Sequence, residues 1–368
     1  MGRPRKTEVE EITDSSEMEL SSIVEQAEDS VGEDIEEKDA VFEFASYGSD
    51  VFDCIAGGGA PFGRIVNLIG DNSVGKSLIA TEIVNQARNK WGKDFVWCYD
   101  DAEAGYSFDS KTIWGFDVID ESFTPSDTIE DFSLNVEKFL SKIKPGQKAI
   151  YVLDSFDALT SAQEQGEFSD KMDAIEKGKK IPGTYAQGKA KGTNQFFRIM
   201  RNKLKEKDCL LIIVSQIREN LNAGMFGKRF YRAGGKSLDL YSSQIFWLYK
   251  AAEYEKKGTV TGVCIRAENT KNKAGKPYRE GYFDILFDYG VDNISTNIKY
   301  LYDLKTDKGQ DKEKIGKTEL EWEGKTYLYH DLVFHIEENN LEKQLTKKVY
   351  RKWQEFEESL SSNRKRRY

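Results

Sequence analysis

From Val41 to Ile294, short apolar runs alternate with longer amphipathic stretches. That alternation predicts a parallel sheet with crossover helices. The runs at 64–69, 95–100, 149–154 and 210–215 read as buried strands. Further strands are predicted at 244–249, 261–268 and 282–287, joined as antiparallel hairpins. Helices are predicted at 78–87, 127–143 and 193–207. The second carries Ile129, Phe132, Val136, Phe139, Leu140 and Ile143 on one face, and the third aligns Phe196, Phe197, Met200 and Leu204. After Asn293 the character changes. Residues 305–325 are rich in Lys, Asp and Gly, and Glu321 to Tyr329 reads as a small hairpin. Leu341, Leu345, Val349, Trp353, Phe356 and Leu360 then form an amphipathic helical stripe that has to be buried somewhere.

Charge refines this layout. The 368 residues carry a net charge of −9, but residues 1–40 alone hold 14 Asp/Glu against 4 Lys/Arg. The remaining chain is nearly neutral, with local basic clusters. The expected organisation is an acidic disordered tail (1–40), a core (41–295), a small C-terminal α/β lobe (296–360) and a basic tail (361–368). The acidic tail reads as a solubilising segment, with nucleic-acid mimicry as the competing reading. No apolar run reaches the length of a membrane span, and the N-terminus has no apolar signal region. Cys54, Cys98, Cys209 and Cys264 are scattered, as reduced core cysteines of a cytoplasmic protein would be. Two histidines make a histidine-rich metal site improbable.

The chemistry concentrates in one segment. Gly70-Asp71-Asn72-Ser73-Val74-Gly75-Lys76-Ser77 fits G-x-x-x-x-G-K-[ST], a phosphate-cradling loop, with an apolar strand before it and a helix after it. Such a loop binds a nucleoside triphosphate. Lys76 reaches the β/γ-phosphates, and Ser77 offers a hydroxyl to Mg²⁺. Asp154, closing its strand 78 residues after Lys76, is the candidate second group for Mg²⁺. Glu103, just past the 95–100 strand, is either a water-orienting base or part of an inert acidic loop. Gln216 is either a γ-phosphate sensor or a strand-end amide that caps a helix.

Two segments look unlike ordinary connections. Residues 163–192 read as a long Gly- and Lys-rich loop with Lys177, Lys179, Lys180, Lys189 and Lys191. Residues 218–236 combine Arg218, Lys228, Arg229 and Arg232 with Phe226, Phe230 and Tyr231. Cations interleaved with aromatics suit phosphates and base stacking. The plainer reading is a solvated basic surface.

The ordered blocks resemble the RecA family of DNA strand-exchange recombinases. They are Gly48-Ser49 with Gly57 to Val66, the loop 70–77, Asp101-Ala102-Glu103, Val152 to Thr160, Gln216-Ile217-Arg218, Met225-Phe226-Gly227, Gly234-Gly235 and Lys271-Asn272-Lys273. The resemblance runs from about Gly48 to Glu358. It implies a RecA-like P-loop ATPase core, an α/β fold whose mostly parallel twisted sheet is flanked by helices, with a small C-terminal α/β lobe. It implies ATP and Mg²⁺ as cofactors. It also implies single-stranded and homologous duplex DNA as partners, self-association into a helical filament, and no membrane. Glu103 falls on the catalytic glutamate and Gln216 on the glutamine that couples γ-phosphate to the second DNA loop. The two basic segments fall on the DNA loops, and Phe226 on a loop residue that crosses the subunit interface. Lys271 and Lys273 fall on the pair that reaches the neighbouring subunit's ATP.

The chain also departs from the family. Ser110 stands where the family stacks a tyrosine on adenine, which leaves Tyr106, Phe108 or Trp114 as substitutes. Leu240 stands at an interface phenylalanine, and the acidic tail is N-terminal rather than C-terminal. Such divergence suits a phage or mobile-element member. The expected function is DNA-stimulated ATP hydrolysis coupled to homologous pairing and strand exchange. The alternatives are an ATP-switched DNA-binding or loading protein without strand exchange and, last, a small-molecule phosphotransferase.

Overall fold

The computed structural model describes residues 42–176, 188–219, 230–232, 235–304, 315–362 and 364. The predicted acidic tail, and residues 363 and 365–368 of the basic tail, lie outside them. In chain order the first elements are β1 (Phe44–Ala45), α1 (Asp50–Ala56), β2 (Ala60–Pro61), β3 (Ile65–Gly70), α2 (Lys76–Trp91), β4 (Phe95–Asp101), α3 (Ser110–Trp114), α4 (Ile129–Lys142) and β5 (Lys148–Asp154). Then come α5 (Ala162–Glu176), α6 (Gly188–Glu206), β6 (Cys209–Glu219), β7 (Phe230–Arg232), α7 (Gly235–Tyr241), β8 (Gln244–Lys256), β9 (Thr259–Asn272), β10 (Glu280–Leu286) and β11 (Gly290–Asp292). The C-terminal part holds α8 (Asn293–Leu301), β12 (Glu319–Trp322), β13 (Lys325–Leu328), α9 (Tyr329–Glu338) and α10 (Glu342–Ser359).

The main sheet runs β11-β10-β9-β8-β3-β6-β5-β4, with β7 paired to β6. Its five strands β8, β3, β6, β5 and β4 are mutually parallel, and β9 to β11 continue it antiparallel. The continuous apolar runs arise because both faces are covered. Along β6, Leu210, Ile212 and Val214 enter the core beneath α2, while Leu211 and Ile213 enter the core beneath α4 and α6. Ile150 and Val152 of β5 divide from Tyr151 and Leu153 in the same way. The predicted stripe of α4 buries Phe132, Val136 and Leu140, and a Thr128/Asp131 capping box starts the helix.

Two expectations are corrected. Residues 163–192 are not one long loop, since α5 and the start of α6 are helical and only 177–187 fall outside the described residues. The stripe of α10 buries Leu345 and Val349, whereas Phe356 and Leu360 at its end are exposed. The expected antiparallel hairpins are present as β8–β9 and β9–β10, and β8 also pairs parallel with β3.

The predicted hairpin is present as β12–β13. It joins α8 and α9 around a separate core of Ile298, Leu320, Trp322, Leu332, Ile336 and Leu345. Val349 of α10 packs with Val51 and Cys54 of α1. All four cysteines are free thiols. Among the described residues no helix is long and apolar enough to cross a membrane.

Candidate functional site

The loop between β3 and α2 is shaped by its two glycines. A Cβ at Gly70 would meet Val74 at 2.5 Å and the Leu248 carbonyl at 3.0 Å. Gly75 sits at φ +80° as the N-cap of α2, where a Cβ would meet Ile285 at 2.5 Å. No side chain caps α2, and its first backbone bond runs from Ile79 N–H to the Gly75 carbonyl. The earlier amides of this long helix therefore lack helical acceptors and offer themselves, with the helix dipole, to an anion. Asp71, Asn72 and Ser73 are exposed, while Val74 is buried. Lys76 is buried, and its ammonium donates to the Asp71 carbonyl at 2.7 Å. Burial lowers its pKa, opposed by the nearby charges of Asp154, Glu103, Asp71 and Asp157.

Strand register assembles the remaining groups. Gln216 of β6 lies opposite Gly70, and Asp101 of β4 lies opposite Asp154 of β5. Asp154 is buried. Its carboxylate accepts the Tyr99 hydroxyl at 2.7 Å and hydrogen bonds with Ser77. Burial raises its pKa, and those two hydrogen bonds oppose the rise. Hard oxygen donors from Ser77 and Asp154 beside a phosphate cradle suit Mg²⁺, which keeps several water and phosphate ligands of its own. The Asp101 carboxylate accepts from Gly105 N–H at 3.2 Å and Tyr106 N–H at 3.0 Å. That fixes the turn that presents Glu103, whose own N–H donates to the Asp154 carbonyl at 3.2 Å. The Gln216 side-chain amide donates to the Glu103 carboxylate, and the Gln216 backbone N–H donates to Asp157 at 2.7 Å. The structure thus brings Lys76, Ser77, Asp154, Glu103 and Gln216 together at one end of the parallel strands. Tyr99, Asp101 and Asp157 join them. Asp101 and Asp157 fall in blocks that carry the family resemblance, but sequence reasoning gave none of the three a role.

The proposed substitutes at Ser110 pack inward. Ser110 is buried and accepts from Val118 N–H at 3.2 Å. Tyr106 meets Thr81 of α2, hydroxyl to hydroxyl, at 3.1 Å, and the Trp114 indole donates to Glu82 at 2.5 Å. Phe108 lies against Tyr106, ring centroids 5.6 Å apart.

Lys271 and Lys273 stand elsewhere. Lys271 stands one residue before the end of β9, across from Ile245, and Lys273 directly follows that strand. Lys273 N–H donates to the Ser243 carbonyl, and Ser243 N–H to the Ile65 carbonyl, both at 2.8 Å. Lys273 is therefore level with the start of β3, five residues or roughly 16 Å before the cradle at its other end. The Lys271 ammonium donates to the carbonyls of Asp239 and, at 2.9 Å, Leu240, at the end of α7. The Lys273 side chain is exposed, as is that of Leu240. The two lysines do not join the group gathered at the loop 70–77.

Of the candidate DNA-contacting residues, Lys177, Lys179, Lys180, Phe226, Lys228 and Arg229 lie outside the described residues. Lys189 and Lys191 belong to α6. Arg218 and Arg232 stand on the β6–β7 hairpin, where Arg218 pairs with Tyr231 and Arg232 with Ile217. Gln216 lies on β6 itself, one residue before the first of these pairs, Ile217 with Arg232.

The comparisons agree with one another. The model of the RecA N-terminal domain matches residues 18–292. The RecA protein of Wolbachia sp. subsp. Drosophila simulans (strain wRi) is 27% identical over 251 residues, 68% of this chain and 65% of that protein. The RecA protein of Brucella canis is 28% identical over 254 residues, with the same coverage of 68% and 65%. The match thus spans just under two thirds of these relatives' length.

Proposed function

The chain belongs to the RecA family, and from that premise we propose that it is an ATP-dependent recombinase of the cytoplasm. It forms helical filaments on single-stranded DNA, hydrolyses ATP when DNA is bound, and promotes pairing and strand exchange with homologous duplex. The carrying observation is the separation of Lys271 and Lys273 from the cradle of their own protomer, at the far ends of the same parallel strands. Groups at opposite ends of a sheet meet when copies stack head to tail, and a head-to-tail contact that does not close generates a helical filament.

In this reading the residues of one protomer do most of the work. The loop 70–77 and the α2 N-terminus hold the phosphates of ATP, and Ser77 and Asp154 hold Mg²⁺. Bound Mg²⁺ neutralises charge on the phosphates. Glu103 orients the attacking water and accepts its proton. Gln216, at the root of the β6–β7 hairpin, transmits γ-phosphate occupancy to the DNA-contacting segment. Lys271 and Lys273 of the adjacent copy meet charge that develops on the transferred group.

The test pairs ATPase assays with electron microscopy. ATPase should rise with single-stranded DNA and vanish in Lys76→Ala, and filaments should form on long unpaired DNA with ATP. Hydrolysis indifferent to DNA, together with solitary molecules under those conditions, overturns the proposal. A second reading, an ATP-switched DNA-binding or loading protein, is favoured by Leu240, an exposed aliphatic residue where the family carries an interface phenylalanine. Light scattering on DNA that finds short closed oligomers selects it.

A further inference from the structure

The turn after β9 carries Lys273 and continues through Ala274, Gly275, Lys276, Pro277 and Tyr278 into β10. From below it is held by packing and backbone bonds. Gly57 and Gly275 touch so closely that a Cβ on Gly57 would meet the Gly275 Cα at 2.9 Å. The Asn272 amide donates to the Ala56 carbonyl at 2.8 Å and accepts from Ala274 N–H at 2.9 Å. From above it is held by a single carboxylate. Glu357, on the last turns of α10, takes the Arg279 guanidinium in a two-pronged pair, one prong at 3.0 Å, and the Lys276 ammonium at 2.8 Å. Beside this clamp lies a cavity of about 250 Å³, lined by Cys54, Ile55, Gly57, Lys276, Trp353 and Glu357. The contact of α10 with the turn is therefore largely ionic. Losing the carboxylate removes the hold of α10 on the turn without removing core packing.

We propose that Glu357 is a positioning residue through which the C-terminal lobe sets the reach of Lys271 and Lys273 toward the neighbouring protomer's ATP. The inference rests on the shared-site reading above. A planar guanidinium gripped on two nitrogens fixes direction as well as distance. Arg279 also carries that constraint into the backbone, because its carbonyl accepts from Asn269 N–H at 2.8 Å on β9, two residues before Lys271. The clamp and the lysines thus share one rigid ribbon. A displacement near 1 Å at a reacting centre costs on the order of a hundredfold in rate.

The experiment mixes protomers. Glu357→Gln alone should lower DNA-stimulated kcat by about tenfold to a hundredfold, with its melting transition retained. Glu103→Gln supplies protomers with a disabled hydrolytic site and intact lysines. Equal mixtures of Glu357→Gln with Glu103→Gln, and of Lys271→Ala with Glu103→Gln, should both hydrolyse ATP faster than the sum of their separate components. The reason is that the defects then lie on opposite sides of a shared site. If Lys271→Ala is complemented but Glu357→Gln keeps full activity alone, or loses activity that Glu103→Gln does not restore, the positioning role is wrong while the shared site stands. If Lys271→Ala is not complemented, the shared site itself falls, and this inference falls with it.

Discussion

The side-chain amide of Gln216 donates to the carboxylate of Glu103, and the backbone N–H of Gln216 is anchored on Asp157. One residue thus touches the candidate water-orienting group while forming the base of the β6–β7 hairpin. A γ-phosphate competing for the Gln216 amide would release Glu103 toward water and pull on the hairpin together. Gln216→Ala should therefore bring the ratio of ATPase with and without single-stranded DNA close to one. Glu103→Gln should lower kcat itself by about 10²–10⁴-fold, the usual contribution of a general base. Steady-state assays with and without DNA separate the two.

Gly75→Ala places a methyl group at φ +80° and against Ile285. The left-handed backbone costs an L-residue about 1–2 kcal/mol, and the overlap adds to it. The variant should melt at lower temperature. ATP should also protect it less than it protects the parent protein, as measured by thermal shift at increasing nucleotide concentration.

Tyr99→Phe removes one of two hydroxyl partners of Asp154 and leaves Ser77 as the other. Groups that orient a metal ligand are worth about tenfold to a hundredfold in affinity or activity. The Mg²⁺ concentration giving half-maximal ATPase should rise by roughly that factor. An unchanged Mg²⁺ requirement would show that Tyr99 packs without orienting the carboxylate.

Hydrogen bonds from Arg279, with those from Lys276, hold the Glu357 carboxyl down at about 2, below its ordinary value of 4.5. A carboxyl depressed on folding contributes stability above its unfolded pKa and loses it as pH falls through the folded one. Stability should thus decline between pH 4.5 and about 2. Glu357→Gln should flatten that part of the curve, as read by chemical denaturation at pH 7 and pH 3.

How much the sequence disclosed varied from element to element. The β5 strand was legible because Ala149 to Leu153 are buried on both faces, so one apolar run reports it. Helix α5 read as a loop because Phe168 and Met172, one turn apart, stand among polar residues and Gly166, and both remain exposed instead of entering a core. β6 continues past Ser215 through polar residues because β7 pairs with it, and that pairing leaves no mark in Gln216-Ile217-Arg218.

The sequence by itself located the candidate phosphate cradle, since Gly70 to Ser77 are contiguous and their chemistry is local. It also determined the alternation that builds the sheet, because period and burial are written in neighbouring residues. Only the tertiary structure decided that Gln216 faces Gly70, that Tyr99 holds Asp154, that Lys273 stands at the far end of the strands, and that Glu357 grips the turn beyond it. Each of these is a partnership between strands or helices distant in the chain. Register and packing, which set such partnerships, are properties of the assembled sheet and not of any one segment.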